Sequence, residues 1–217
     1  MFQKKDYSLI LFYCSSLSAL FFIDNGHPYI ESILKLVSIL SLALFYFKNT
    51  THLNYWYLTV LFCSCLSSTF LVFDAVFLAM GTYLLLFNRV LYIIISRRAL
   101  LVLNRKKILL PLTLFLIPVL IIFPELKSYL GNLSLTILLI GITSAIMASF
   151  AFINYLEVMK KENQYFLGGI LLFVIADILI AYNKFVSYNL AVVIFYTSIY
   201  FIARYFVCKA MLLEKRN

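Results

Sequence analysis

Histidine and cysteine are too few and too scattered here to build a metal centre. The 217 residues hold two histidines, His27 and His52, and four cysteines, Cys14, Cys63, Cys65 and Cys208. The histidines fall in connections on opposite sides of one apolar run and cannot meet. Cys63-x-Cys65 lacks C-x-x-C spacing and has no second pair, which argues against a zinc site or a disulfide framework. The cysteines read instead as small apolar fillers. No nucleophile motif with a paired base is present. Neither a metal nor an organic cofactor is expected. Charge is scarce as well, at 12% of residues against about 25% in an average soluble domain.

What fills the chain is apolar. Hydrophobic residues make up 64%, and the mean hydropathy is +1.00. No soluble protein of this length could hide so much apolar surface, whereas a bilayer is itself an apolar solvent. The net charge of +9 does not point to nucleic acid, because the basic residues cluster between apolar runs. There they act as topology determinants and headgroup contacts.

The apolar runs cover approximately 7–23, 29–47, 55–78, 80–96, 108–124, 133–156, 165–183 and 188–210. A spanning helix needs about 20 residues, within a range of roughly 17–25. Strands of a membrane barrel would alternate in polarity, and these runs do not. The sequence therefore predicts an all-α integral membrane protein. It forms one transmembrane domain over 1–217, a bundle of eight helices in a cell membrane. The third and fourth runs share Asn54 to Ser96, so their turn must be tight, bracketed by Asp74 and Gly81. The first run follows Lys4 and Lys5 like a signal peptide, but Ser16-Leu17-Ser18 is a weak cleavage site, and the run is expected to be retained.

Basic residues support this count. On one side lie Lys4, Lys5, Lys48, Arg97, Arg98, Arg105, Lys106, Lys107, Lys160, Lys161, Lys209, Lys215 and Arg216; the other has only Lys127 and Lys184. Thirteen against two places both termini in the cytoplasm by the positive-inside rule.

Once the loop charges are set aside, Lys35, Asp74, Arg89, Asp177 and Arg204 remain within or at the ends of spans, with Asn88 as a polar neighbour. A charge at mid-membrane costs at least about 2.5–3.5 kcal/mol on insertion scales, so such residues usually face the bundle interior and pair there. Asp177 lies in the middle of Leu171-Leu172-Phe173-Val174-Ile175-Ala176-Asp177-Ile178-Leu179-Ile180-Ala181, with no relief nearby in sequence. It is either a functional carboxylate or one half of a clamp to Arg89 or Arg204. Asp74 falls near the outer end of the third run, as a site residue or a polar turn. Lys35 is placed to snorkel to the outer interface. Tyr92 stands one turn from Asn88, while Thr197, Tyr200, Arg204 and Cys208 recur on one helical face that should meet the bundle. Tyr55-Trp56-Tyr57 looks like part of an aromatic belt.

Two segments carry a resemblance. The first is Ser67-Ser68-Thr69-Phe70-Leu71-Val72-Phe73-Asp74-Ala75-Val76-Phe77-Leu78-Ala79, then Asn88-Arg89-Val90-Leu91-Tyr92-Ile93. The second runs from Gly168-Gly169 through Ala176-Asp177-Ile178-Leu179 to Asn183-Lys184-Phe185, then Tyr200-Phe201-Ile202-Ala203-Arg204-Tyr205. Together they resemble the YhhN family of eight-span membrane proteins, which includes the lysoplasmalogenases. The family pattern has Gly where Phe73 stands, Ser at Ala176, His at Asn88 and Gln at Arg204, and Lys-Pro where this chain has Lys35-Leu36. Both aspartates and Tyr92 are retained.

The resemblance implies a membrane hydrolase that cleaves the vinyl ether bond of a lysoplasmalogen. Such cleavage starts with protonation of a carbon and passes through an oxocarbenium ion to which water adds. Two carboxylates suit it. A buried, protonated one supplies the proton, and an ionised one stabilises the cation and activates water. Asp177, the deeper one, is expected to be the acid. Asn88, Tyr92 and Tyr200 would orient water or substrate. Lys35 or Arg204 would hold a phosphate, or would hold an aspartate ionised and defeat its acid role. The alternative is a non-catalytic relative, active in lipid binding, transport or assembly, whose charges are fixed ion pairs. In either case the expected partners are membrane lipids, including a lysophospholipid.

Overall fold

The structure, a computed structural model, describes residues 6–96 and 106–214, and their side chains except at 74–76, 106 and 107. Its long elements are α-helices: α1 Tyr7–Phe21, α2 Pro28–Asn49, α3 Tyr55–Val72, α4 Asp74–Ser96, α5 Lys106–Leu130, α6 Ser134–Glu157, α7 Lys161–Phe185 and α8 Leu190–Leu213. Helices satisfy their own backbone groups, which an apolar solvent requires. Local signals set several starts. Pro28 opens α2, where its missing N–H costs nothing. The Asn54 side chain accepts from the Tyr57 amide at the head of α3, and Asn189 accepts from that of Ala191 at the head of α8. The tight turn between α3 and α4 falls at Phe73, so Asp74 begins α4.

Among the described residues, six segments are long and apolar enough to cross a membrane: α2, α3, Phe77–Ser96 of α4, Ile108–Glu157, α7 and α8. By the same measure α1, with 15 residues, is a shorter apolar helix. The sequence predicted separate runs at 108–124 and 133–156, and these merge into one segment of 50 residues. They merge because Gly131–Leu133 is a 3₁₀ turn with no charged residue to interrupt the hydropathy. A straight helix of that length would measure about 75 Å, well over twice the roughly 30 Å hydrocarbon core. Instead α5 and α6 fold back and pack on each other. α5 stays helical through Pro111, Pro118 and Pro124. Several of its large side chains, Leu110 and Leu120 among them, are exposed.

Neighbours in sequence pack side by side except α4 and α5, most extensively α7 on α8 and α3 on α4, while α4 against α6 and α1 and α2 against α8 close the bundle. Lipid cannot drive such packing, so close approach and interhelical hydrogen bonds must. Gly169 shows the first. A Cβ there would stand 2.7 Å from Val207 Cγ2 and 2.9 Å from the Ala203 carbonyl oxygen. Ser16 and Ser38 show the second, with hydroxyls 2.7 Å apart between α1 and α2. The largest fully buried side chain is not apolar. It is Arg89, 1% exposed.

Candidate functional site: an ion pair beside a charged cavity

Arg89 reaches from α4 to Asp177 on α7. Its Nε donates to Oδ2 at 2.8 Å and its Nη2 to Oδ1 at 2.6 Å, the forked geometry that makes Arg–carboxylate pairs strong. Nη2 also donates to the Tyr200 hydroxyl at 2.8 Å, and that hydroxyl donates to Asp177 Oδ1 at 2.5 Å. Ser144 of α6 donates to Oδ2 at 3.2 Å. Four helices thus converge on one carboxylate. The guanidinium carbon lies 4.9 Å from the centre of the Phe173 ring, a cation–π contact in a dry setting.

Arg89, Asn88, Tyr200 and Arg204 line a cavity of about 490 Å³. It opens among the α1–α2 and α7–α8 links, at Asp24, His27 and Tyr188. Across that mouth Tyr188 donates to Asp24 Oδ2 at 2.9 Å, and desolvation first, then this bond, pushes the phenol up to about 12. Lys35 lines the cavity and pairs with Glu31 one turn nearer the mouth, at 2.5 Å, which fits the snorkelling expected of it. Asn88 donates to Ser64 of α3 at 2.7 Å, but its own Oδ1 accepts from nothing. Arg204 is buried in α8, its Nε without a partner and its guanidinium 5.5 Å from the Tyr200 ring centre. Asp177 lines a second, smaller space of about 100 Å³, with Ser144 and the apolar side chains of α4 to α7. Leu71, Leu85, Ile180 and Lys184 border both spaces.

Most of the residues singled out from sequence gather here. Lys35, Asn88, Tyr200 and Arg204 share the larger cavity, while Asp177 lies behind Arg89 and Tyr200 and lines only the smaller space. Tyr92 sits one turn from Asn88 but is buried against Phe173, with ring centres 5.4 Å apart, and does not line the cavity. The carboxylate of Asp74 lies outside the described side chains. Its backbone can be located, because Lys184 donates at 3.4 Å to the carbonyl of Leu71, three residues earlier. Lys184 follows Asp177 by seven residues of α7, so the head of α4 stands about 10 Å nearer the mouth along the helix axis. The basic residues at 4, 5, 97, 98, 105, 215 and 216 lie outside the described residues, as do the side chains at 106 and 107.

Of the two clamp partners considered for Asp177, Arg89 is the one engaged. Ser144, Ser64 and Phe173 were not anticipated. A serine or phenylalanine in an apolar helix is ordinary, and only its distance to a charge marks it. His27 and His52 flank opposite ends of α2, and no group of metal ligands occurs among the described residues.

No curated protein and no solved structure matches the chain. The sequence profile of the YhhN family matches residues 30–211, from the start of α2 to near the end of α8. That stretch contains the residues of the ion pair and most of the cavity lining, and on it the chain belongs to the YhhN family.

Proposed function

We propose that this protein is a membrane hydrolase of the lysoplasmalogenase type, an eight-span bundle with both termini in the cytoplasm. The observation that carries the reading is a large cavity with a charged and polar lining, sunk into a bundle whose outer surface is apolar. Such a cavity suits a lipid that is apolar at one end and phosphorylated at the other. The reaction joins water to a vinyl ether and releases an aldehyde and a glycerophospho-alcohol. A proton goes to the β-carbon, water adds to the oxocarbenium carbon, and the hemiacetal breaks its bond to the glycerol oxygen.

We assign the roles differently from the sequence reading. Asp177 acts as acceptor in each of its hydrogen bonds, from Arg89, Tyr200 and Ser144. In this reading it supplies negative charge to the oxocarbenium ion and helps to hold water, and the acid role passes to Asp74. Tyr200 and Asn88 line the cavity and orient substrate or water, with Tyr92 supporting them from behind. Incubating purified protein with a lysoplasmalogen and measuring aldehyde release tests the proposal. Aldehyde at the rate of a no-protein control refutes it.

A second reading has one observation in its favour. A fully engaged Arg89–Asp177 pair is what a structural clamp looks like, and the family's usual His and Gln are here Asn88 and Arg204. Under it the chain binds or moves lipid without cleaving it.

A further inference from the structure

The charges around the large cavity do not cancel. Lys35 is matched by Glu31 and Arg89 by Asp177. Arg204 is 8% exposed, lines the cavity, and forms an ion pair with no carboxylate of the described residues. Its Nε also lacks a hydrogen-bond partner. Its charged neighbours Lys35 and Arg89 are cations that repel it. Arg204 lies fourteen residues into α8, about 21 Å from the head of that helix and about 14 Å from its end. An unmatched cation at such depth is costly, and an anion in the cavity would supply its counter-charge.

A second unpaired atom narrows the ligand. Asn88 Oδ1 is a buried acceptor in the lining of the same cavity, and its amide nitrogen is already committed to Ser64. The cavity thus offers a forked cationic donor and a neutral acceptor. A ligand that satisfies both needs an anionic oxygen and a hydrogen-bond donor in one molecule. A phosphate ester on a glycerol with one free hydroxyl has both. A diacylphosphatidylcholine has no donor, a monoacylglycerol has no anion, and inorganic phosphate has no glycerol to span the two groups.

We infer that the inner end of this cavity is a glycerophospho subsite, with phosphate oxygen against Arg204 and a free glycerol hydroxyl donating to Asn88 Oδ1. It rests on the lysolipid reading above for the kind of molecule, and not on any cleavage. The subsite selects lysophospholipids by their headgroup end, whatever links the chain.

Melting temperature and binding of the full chain in detergent test this without catalysis. The probes are a 1-acyl lysophosphatidylcholine, which has no vinyl ether, the matching monoacylglycerol, a diacylphosphatidylcholine and inorganic phosphate. The lysophospholipid should raise the melting temperature saturably, and the other three should not at equal concentration. Arg204→Gln should fold, melt no lower than the parent without lipid, and bind the lysophospholipid about 10- to 100-fold more weakly, as loss of a charge-assisted bond implies. Arg204→Lys should retain part of the binding and serves if the Gln variant does not fold. Asn88→Ala should weaken lysophospholipid binding as well. Equal stabilisation by monoacylglycerol or diacyl lipid, or undiminished binding by both Arg204 variants, overturns the subsite. Stabilisation by inorganic phosphate as strong as by the lysolipid assigns the site to free phosphate and overturns the glycerol half. A parent that binds lysophospholipid yet cleaves no vinyl ether refutes the hydrolase and leaves the subsite standing.

Discussion

Arg89 and Asp177 stand 88 positions apart in the chain and meet through two hydrogen bonds of 2.8 and 2.6 Å. Both side chains are buried, at 1% and 9% exposure, so each charge depends on the other. Removing one partner of a buried pair typically costs about 3–5 kcal/mol, because the survivor is stranded. Asp177→Asn should therefore lower the melting temperature in detergent, and adding Arg89→Leu should restore part of the loss. Adding Arg204→Gln should restore little, since Arg204 does not touch Asp177. A single variant that melts like the parent would show that the pair contributes no stability.

Activity separates the hydrolase from the clamp. If the hydrolase reading holds, Asp74→Asn should reduce vinyl ether hydrolysis by about 10²–10⁴-fold, the usual scale of general acid–base catalysis. The same variant should keep its melting temperature, because a neutral amide is cheaper in a membrane than a carboxylate. A folded Asp74→Asn enzyme with parental turnover would remove Asp74 as the acid.

Gly169 gives a prediction independent of charge. A methyl group there meets the backbone oxygen of Ala203 at 2.9 Å, and backbone cannot swing aside as a side chain can. Gly169→Ala should lower the melting temperature, and Gly169→Leu should lower it further. Gly26, where a Cβ meets nothing within 4 Å, has a positive φ of 72°. Gly26→Asn should be tolerated, because Asn visits that region more readily than other side chains. Melting curves of the three variants decide both points.

Topology is open to direct test. Cytoplasmic reporters fused after Asn104 or Lys161 should be active, and those near Lys127 or Ser187 should be silent, as the basic-residue asymmetry requires. An active reporter at Lys127 would mean that Ile108–Glu157 does not cross and return, and would end the eight-span proposal.

The helices were legible because each run of apolar residues has few ways to satisfy its backbone in lipid. The need for a tight turn between α3 and α4 was legible, since 43 residues leave room for two spans only with one, but the turn falls at Phe73, one residue before the stretch Asp74 to Gly81 expected to hold it. Asp177 stood out as a bare charge in an apolar run, and Arg89 was one of its two possible partners. The choice between Arg89 and Arg204 was not legible, because a helical wheel gives direction but not which helix lies opposite. The burial of Tyr92 behind Phe173 was hidden for the same reason. The acceptor role of the Asp177 carboxylate, in four hydrogen bonds from three residues, was not legible either, because two of the three, Tyr200 and Ser144, are neutral groups that carry no charge signal in sequence.

The distance in sequence between Arg89 and its partner also has a meaning in time. A chain made at about 5–20 residues per second needs roughly 4–18 s to pass from Arg89 to Asp177. For the later part of that interval α4 has left the ribosome while the carboxylate that neutralises it does not yet exist. The nascent helix must keep its guanidinium at the interface or against water, and can settle only when α7 arrives. Nascent chains stalled before α7 should therefore leave Arg89 open to a water-soluble arginine reagent, and chains stalled after it should not.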